Sequence, residues 1–538
     1  MKSPQRGRCV NFIPSRSTTV LWFLGALFAS CFAVSAKTAL PANQSDKIEA
    51  YLASRIAEQR IPGAAWGVVE QDHITRVAGL GVADPTGRPV TAETPFILGS
   101  VSKSFTALAI MQLVETGQIN LDAKVRQYIP WFTLADDSSQ QITVRQLLNH
   151  ASGISVETSE KFAASSDVSD SALENRVRNL RTEHLDRAVG SDFEYSGTNY
   201  AVLGLLVQFV THQPYEKYIQ EHIFAPLKME HTYTSQTEAQ KHGLASGYLY
   251  WFFFPRATEL PFNRGSLPQG YIISTVEDMS HYLIAQMNGG RYEDVQVLSP
   301  VGIREMHRPA IATWKSGTSY GMGWEIGPIA GIPAIWHEGS IFNYHANMVL
   351  IPSNGSGFVL LENIYSGPDE ARLNQIAEGI ALLLTGKDPP PIASTRRLKL
   401  AYGILLLIFF VQLWVLVRTA RQLTSRHSRP QTILGISMLL LTILLSLSWG
   451  LLIVLGIPRL FGMPLITTVV RVPDFGYVLL TCAFLAFSTS ILKGFVGLAS
   501  FFQYHTSLVQ TLSSRAFCHQ IQLDPKYQKA TCINNKNL

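Results

Sequence analysis

Ser100 and Lys103 stand three residues apart in Ser100-Val101-Ser102-Lys103, ahead of a strongly apolar stretch, Phe105 to Thr116. Serine is a weak nucleophile at neutral pH and needs a base. On a helix, positions i and i+3 share a face, so an amine one turn on can reach the hydroxyl. That amine is a base only when uncharged. Lowering a lysine by ~3 pKa units costs ~4 kcal/mol, which demands a desolvated or cationic surrounding. A helix start adds free backbone N–H groups and a positive dipole end, both suited to a developing oxyanion. The chemistry that fits is acyl transfer through a serine ester. Spacing alone decides nothing, since Ser490-Ile491-Leu492-Lys493 repeats it at the end of a long apolar run.

The elements that must position these groups follow from hydrophobic period. Asp46 to Gln59 has helical spacing, with Ile48, Tyr51, Leu52, Ile56 and Ala57 on one side. Ala64 to Val69 and His73 to Leu80 read as paired strands, and Asp84-Pro85-Thr86-Gly87 as a turn. Phe105 to Thr116 is a strong helix with Gly117 as its stop. Helices and antiparallel-type strands intermix up to Ala381, so the fold class is α+β. Gly79-Leu80-Gly81 lacks the third glycine and following helix of a dinucleotide loop and reads as a strand bend. Tyr248 to Phe254, YLYWFFF, reads as a buried strand or pocket wall, with an apolar lid near a bilayer as the sharper alternative.

Composition narrows the class. The 538 residues are 47% hydrophobic and 15% charged, with mean hydropathy +0.13, which is too apolar for a disordered chain. The five cysteines avoid the whole stretch between Lys37 and Arg397, which excludes a disulfide scaffold and a thiol nucleophile there. No His-Glu-x-x-His or Cys-x-x-Cys occurs, so neither a catalytic metal nor another cofactor is expected. A net charge of +5 is too mild for a nucleic-acid footprint.

Both ends point to a membrane. Lys2, Arg6, Arg8 and Arg16 precede an apolar stretch from Thr19 to Val34, and Val34-Ser35-Ala36 offers a cut after Ala36. Residues 1–36 therefore read as a signal peptide, with an uncleaved anchor or a lipid-bearing Cys31 as weaker readings. Leu400 to Val417 is 18 residues without a charge, long enough for ~27 Å of bilayer. Thr432 to Ile457 and Gly476 to Leu492 are two further spans. Arg418, Arg421, Arg426 and Arg429 after the first span fit an inner face, while Arg396, Arg397 and Lys399 before it cut the other way. The expected plan is an extracytoplasmic domain over 37–387, a stiff proline linker over 388–397, three spans over 398–503 and a cytoplasmic tail over 504–538. The chain would be multi-pass in the cell (inner) membrane with its catalytic domain outside, in the periplasm.

Longer blocks resemble a known superfamily. TPFILGSVSKSFTALAIMQLVETGQINLD resembles the nucleophile helix of the serine β-lactamase-like, penicillin-binding-protein superfamily: class C β-lactamases, D-Ala-D-Ala peptidases, D-aminopeptidases and esterases. ITVRQLLNHASGI, FEYSGTNYAVLG, PLKMEHT, STVEDMSHYL and WHEGSIFNYHA resemble further blocks in the same order, over roughly residues 45 to 385. The resemblance implies a β-lactamase/transpeptidase-like domain, an antiparallel sheet flanked by helices plus an all-helical subdomain. It implies Ser100 as the acylated nucleophile, Lys103 sharing its proton with Tyr195, and His337 as a cationic or donor neighbour of that phenol. It implies an oxyanion hole from the backbone N–H groups of Ser100 and Ser340 and substrate-binding positions at Gly197, Glu338 and Gly339. His150 is expected to be structural, packing under the site.

Two departures bear on substrate. Gly197 stands where the tyrosine motif often has an Asn that contacts the substrate amide, which tilts the reading toward esters. Asn199 is near in sequence but points elsewhere if the segment is extended. His337-Glu338-Gly339 replaces Lys-Thr-Gly, whose Lys and Thr grip a carboxylate, and argues against efficient β-lactam hydrolysis. The expected function is a membrane-anchored serine hydrolase, peptidase, amidase or esterase, acting on a small-molecule or peptide-like substrate, with the lipid bilayer as its other partner and no nucleic acid. The plan of export signal, catalytic domain and three spans also resembles the bacterial prodrug-maturing peptidases, which remove an acyl-D-amino-acid cap from a nonribosomal product. A non-hydrolysing penicillin-binding-type receptor and a weak β-lactamase are the alternatives.

Overall fold

A computed structural model describes residues 44–161, 166–259, 261–365, 367–424, 433–457, 459, 465, 468–469 and 472–523. The expected signal peptide and much of the arginine-rich loop after the first span lie outside these residues.

The strand Gly63–Glu70 shows why the sheet is covered on both sides. Period two sends Ala64, Trp66 and Val68 to one face and Ala65 and Val69 to the other, and both sets are buried. On one face lie the helices Gln44–Gln59 and Glu370–Leu384, with Leu52, Ile376 and Ile380 in the core. On the other lies Val276–Met287, which comes so close that a side-chain carbon on Gly67 would stand 2.7 Å from Ser280 Oγ. The eight strands run in the order His73–Gly81, Gly63–Glu70, Ser356–Glu362, Tyr344–Ile351, Ile332–Ile341, Glu325–Ile329, Ser319–Tyr320, Ile311–Ala312, each pair antiparallel. Gly81, at φ +74, ends its strand, in line with a bend and not a nucleotide loop.

Between the first and last parts of the sheet the chain folds as a helical subdomain. Its centre is Gly197–Thr211, apolar on all sides, with Tyr200, Leu203, Leu205 and Leu206 fully buried. Each such side chain contributes about 1.5–3 kcal/mol of burial. At 15 residues this helix is ~22 Å long, a core helix and not a membrane span. The expected helix at Phe105 begins earlier, at Ser102, after one tight turn Gly99–Val101, and stops at Glu115 ahead of left-handed Gly117.

Among the described residues, three helices are long and apolar enough to cross a membrane. The first is Arg396–Thr424, so the proline linker ends two residues sooner than expected. The second is Ile433–Leu451, continued by a wider turn to Gly456. The third starts at Pro473 and runs to Leu523, well past residue 503. Leu400, Ile404, Leu407 and Phe410 on the first helix are exposed, as side chains against lipid must be.

The aromatic run Tyr248 to Phe254 forms a hairpin, Tyr248–Trp251 with Phe254–Ala257. Tyr248 and Leu249 are buried as expected, but the hairpin does not line the cleft around Ser100. Its tip turns to the membrane helices: Phe252 and Phe253 pack on Tyr402, and Trp251 lies 6.0 Å from Tyr477. It is a seat and not a pocket wall.

Candidate active site

Lys103 Nζ lies 2.8 Å from Ser100 Oγ and 2.8 Å from the carbonyl oxygen of Gln269. The first distance is the helical i, i+3 relation closing across one turn. The second comes from the short turn Leu267–Gly270, which docks on the nucleophile helix through its carbonyls, Pro268 O also accepting from Thr106 Oγ1 at 2.6 Å. Lys103 is buried, and desolvation, helped by the nearby Arg176 guanidinium, brings its amine down to about 7. The uncharged amine is therefore accessible near neutral pH.

Tyr195 precedes the buried helix Gly197–Thr211 and hydrogen-bonds Ser100 through its hydroxyl. Its ring lies under the Lys103 amine, 5.0 Å from the centroid. His150 fixes this segment on both sides: its carbonyl accepts from Glu194 N at 2.8 Å and its Nδ1 from Ser196 N at 3.2 Å. The His150 and Tyr195 rings lie 4.4 Å apart, tilted by 38°. The left-handed backbone of His150, φ +58, is what lets one residue do both. Burial pushes the Tyr195 phenol well above its ordinary range, so it is a neutral hydroxyl at pH 7 and not a standing phenolate.

Asn199 does not face the cleft, for a reason different from the expected one. The segment is helical, not extended, and Asn199 is buried, donating to His150 Nδ1 at 3.0 Å and accepting from Ser152 Oγ at 2.7 Å.

The strand Ile332–Ile341 brings the third block to the nucleophile. A side-chain carbon on Gly339 would stand 2.1 Å from Leu98 O and 3.1 Å from Ser100 N, and one on Gly99 would stand 2.7 Å from Ser340 N. Only glycine permits this approach, which sets the backbone amides of Ser100 and Ser340 side by side. Ser340 Oγ donates to Glu370 at 2.5 Å, and Tyr365 donates to the other oxygen of the same carboxylate at 3.4 Å.

His337, expected as a cationic or donor neighbour of the Tyr195 phenol, sits in the cleft wall as a neutral imidazole. Burial pushes its imidazole down to about 3, and the Lys103 charge pushes the same way. Both nitrogens are engaged: Nδ1 donates to Glu338 O at 2.6 Å, which leaves Nε2 to accept from Tyr320 Oη at 2.9 Å. Its rings approach Tyr195 only to 6.4 Å. Glu338 is drawn outward, to Lys315 Nζ at 3.1 Å and Asn374 Nδ2 at 2.6 Å.

These groups surround a cleft of about 400 Å³ lined by Ser100, Lys103, Tyr195, Gly197, His337, Glu338, Ser340 and Gln269 among others. Its two lysines are Lys103 and Lys315, and Lys315 is held by Glu325 and Glu338. Among the described residues no cluster of three His, Cys, Asp or Glu is placed to hold a metal ion. Sequence reasoning missed two groups. Gln269 and Arg176 carry no motif, and only the tertiary fold brings them beside Lys103.

Known proteins resemble the chain over the region that holds this cleft. The family model described as Beta-lactamase matches residues 47–382. Protein flp of Staphylococcus aureus strain MW2 is 27% identical over 329 residues, 60% of this chain and 64% of that protein. The match thus spans less than two thirds of Protein flp. Penicillin-binding protein 4 of Amycolatopsis lactamdurans is 27% identical over 323 residues, 57% of this chain and 82% of that protein. Among solved structures, the octameric penicillin-binding protein homologue from Pyrococcus abyssi is similar with TM-score 0.56 and 28% identity, over 64% of this chain and 78% of that one.

Proposed function

The chain belongs to the beta-lactamase family, and from that premise we propose that it is a membrane-anchored serine hydrolase working through an acyl-enzyme on Ser100. The observation that carries this reading is the buried Lys103 amine, 2.8 Å from the serine hydroxyl and held well below the ordinary lysine range by desolvation.

The cycle is two balanced acyl transfers. Ser100 Oγ attacks the substrate carbonyl and its proton passes to Lys103. The amides of Ser100 and Ser340 stabilise the oxyanion. The tetrahedral intermediate collapses as the carbon–leaving-group bond breaks, and the proton returns from Lys103 through the Tyr195 hydroxyl to the departing nitrogen or oxygen. Water then attacks the ester, its proton taking the same relay, and Ser100 is released.

The substrate is a small peptide-like or acylated molecule cleaved at an amide or ester. Its carboxylate is not the handle: His337 is neutral and Lys315 already serves two glutamates, so among the described residues no cation of the cleft stands in the role of the missing lysine. This supports a job other than β-lactam hydrolysis. The catalytic domain lies outside the cytoplasm in this reading. Its support is that Arg418 and Arg421 sit at the end of the first membrane helix farthest from that domain, as inner-face charges do.

The test is labelling of the full-length protein in detergent with a fluorophosphonate and a penicillin probe in parallel, with turnover of activated acyl esters. Labelling by the fluorophosphonate, turnover, and loss of both in Ser100→Ala support the hydrolase. Stoichiometric labelling without turnover overturns it in favour of a receptor.

A further inference from the structure

Gly197 leaves the cleft without the side-chain amide that its position carries in many relatives, yet the space is not empty. A side-chain carbon on Gly197 would stand 2.4 Å from Gln269 Oε1 and 2.8 Å from Ser159 Oγ. Gln269, which comes from a different part of the chain, fills the volume that an asparagine at 197 would need. It carries the same functional group, a primary carboxamide.

The amide is held, and its orientation is set. Arg176, buried under the cleft on the helix Ala172–Arg178, donates from Nη2 to Gln269 Oε1 at 3.4 Å and from Nη1 to Ser266 Oγ at 2.8 Å. A guanidinium has only donors, so it fixes the oxygen of the amide toward itself and turns the NH₂ group away. Among the described residues that NH₂ group has no protein hydrogen-bond partner, and Gln269 lines the cleft. The backbone of the same residue is anchored by its carbonyl on Lys103. A fixed, unused donor therefore stands next to the base, inside the cleft.

We propose that the Gln269 carboxamide, oriented by Arg176 in the space Gly197 vacates, is a substrate subsite that donates to an amide carbonyl in the acyl portion of the substrate. The proposal rests on the hydrolase reading and sharpens it. The preferred substrate is an acylamino or peptide-like compound, and the glycine at 197 no longer argues for simple esters. A plain fatty or short-chain acyl group leaves the donor unpaired and gains nothing from it.

The experiment uses the full-length protein in detergent and two p-nitrophenyl esters with the same leaving group: an N-acetylated alanine ester, in D and L forms, and butyrate, which lacks the amide. The readout is the ratio of their kcat/KM values. Gln269→Ala lowers the ratio about tenfold. Gln269→Glu, which cannot donate yet suits the Arg176 guanidinium, lowers it similarly. Gly197→Asn placed in the Gln269→Ala background raises it again. Ratios within twofold of the original in both Gln269 variants overturn the proposal, as does a fall with alanine alone. An original protein that turns over neither ester and takes no fluorophosphonate at Ser100 overturns the hydrolase reading instead.

Discussion

Asp474, at the head of the third membrane helix, accepts a hydrogen bond at 2.7 Å from the backbone nitrogen of Phe252, at the tip of a catalytic-domain hairpin. The same carboxylate accepts from Tyr402 Oη at 3.1 Å, which joins the first membrane helix to the seat. Phe252 and Phe253 hold left-handed backbone, φ 48 and 68, at the two positions where a tight hairpin favours Asn and Gly. Such strain, ~1–3 kcal/mol per residue, persists only where surroundings enforce it. Asp474→Ala removes the acceptor, and hydrogen exchange of the Phe252 amide in the detergent-solubilised chain accelerates at least tenfold while amides of the central strand Tyr344–Ile351 keep their protection. Unchanged exchange at Phe252 would show that the hairpin needs no membrane helix.

What could be read from the sequence was what is local. Ser100 and Lys103 are related by one helical turn, and only the family-like block around them separates this pair from Ser490 and Lys493, while the paired strands on either side of residue 71 are neighbours along the chain. Tyr195 and Gly339 were reachable because whole blocks resemble a family. Arg176 was not: it belongs to no motif, and only tertiary packing buries its guanidinium. The neutrality of His337 is likewise a consequence of burial that no neighbour in sequence announces. The third membrane helix overran its expected end because an apolar run marks where lipid ends, not where helix ends. No proline interrupts it between Pro473 and Pro525.

Gly339→Ala tests the oxyanion hole without touching a titratable group. The added carbon meets the Leu98 carbonyl at 2.1 Å, and relief requires the strand to withdraw from the Ser100 amide. Losing one such donor costs about 10²–10³ in kcat. Ester turnover falls by that range with KM changed less than kcat. A variant retaining a third or more of the original kcat would remove Ser340 from the oxyanion hole.

The acylation rate rises with pH through about 7 as Lys103 loses its proton. His337, held at about 3, adds no limb, and the Tyr195 phenol, held above its ordinary range, adds no falling arm below pH 9. Glu325, pushed up to about 7 by burial, titrates in the same window from the cleft wall, so Glu325→Gln is the background in which to measure. Arg176→Met removes the second cause of the Lys103 shift and leaves the first, burial, in place. The midpoint of the fluorophosphonate labelling rate then moves upward by ~1 pH unit or less. A midpoint that stays put or moves down contradicts an electrostatic role for Arg176.

Lys103 also carries a stability cost whose pH dependence has a definite sign. Its amine titrates near 10.5 when exposed and at about 7 in the fold. Between those values the unfolded chain binds a proton that the folded chain lacks, so stability rises with pH across that window. Below pH 7 both states are protonated, and the fold carries the full penalty of a buried ammonium, about 5 kcal/mol from 1.36 kcal/mol per unit. Lys103→Met abolishes that penalty while losing the polar contacts to Ser100 and Gln269, about 1 kcal/mol each. The net expectation is an inactive protein more stable than the original by about 2–3 kcal/mol at pH 6, with the difference shrinking toward pH 10. Thermal melts at pH 6 and pH 9.5 measure it. A methionine variant equally or less stable at pH 6 would mean that the amine is not desolvated, and with it would go the uncharged base on which acyl transfer depends.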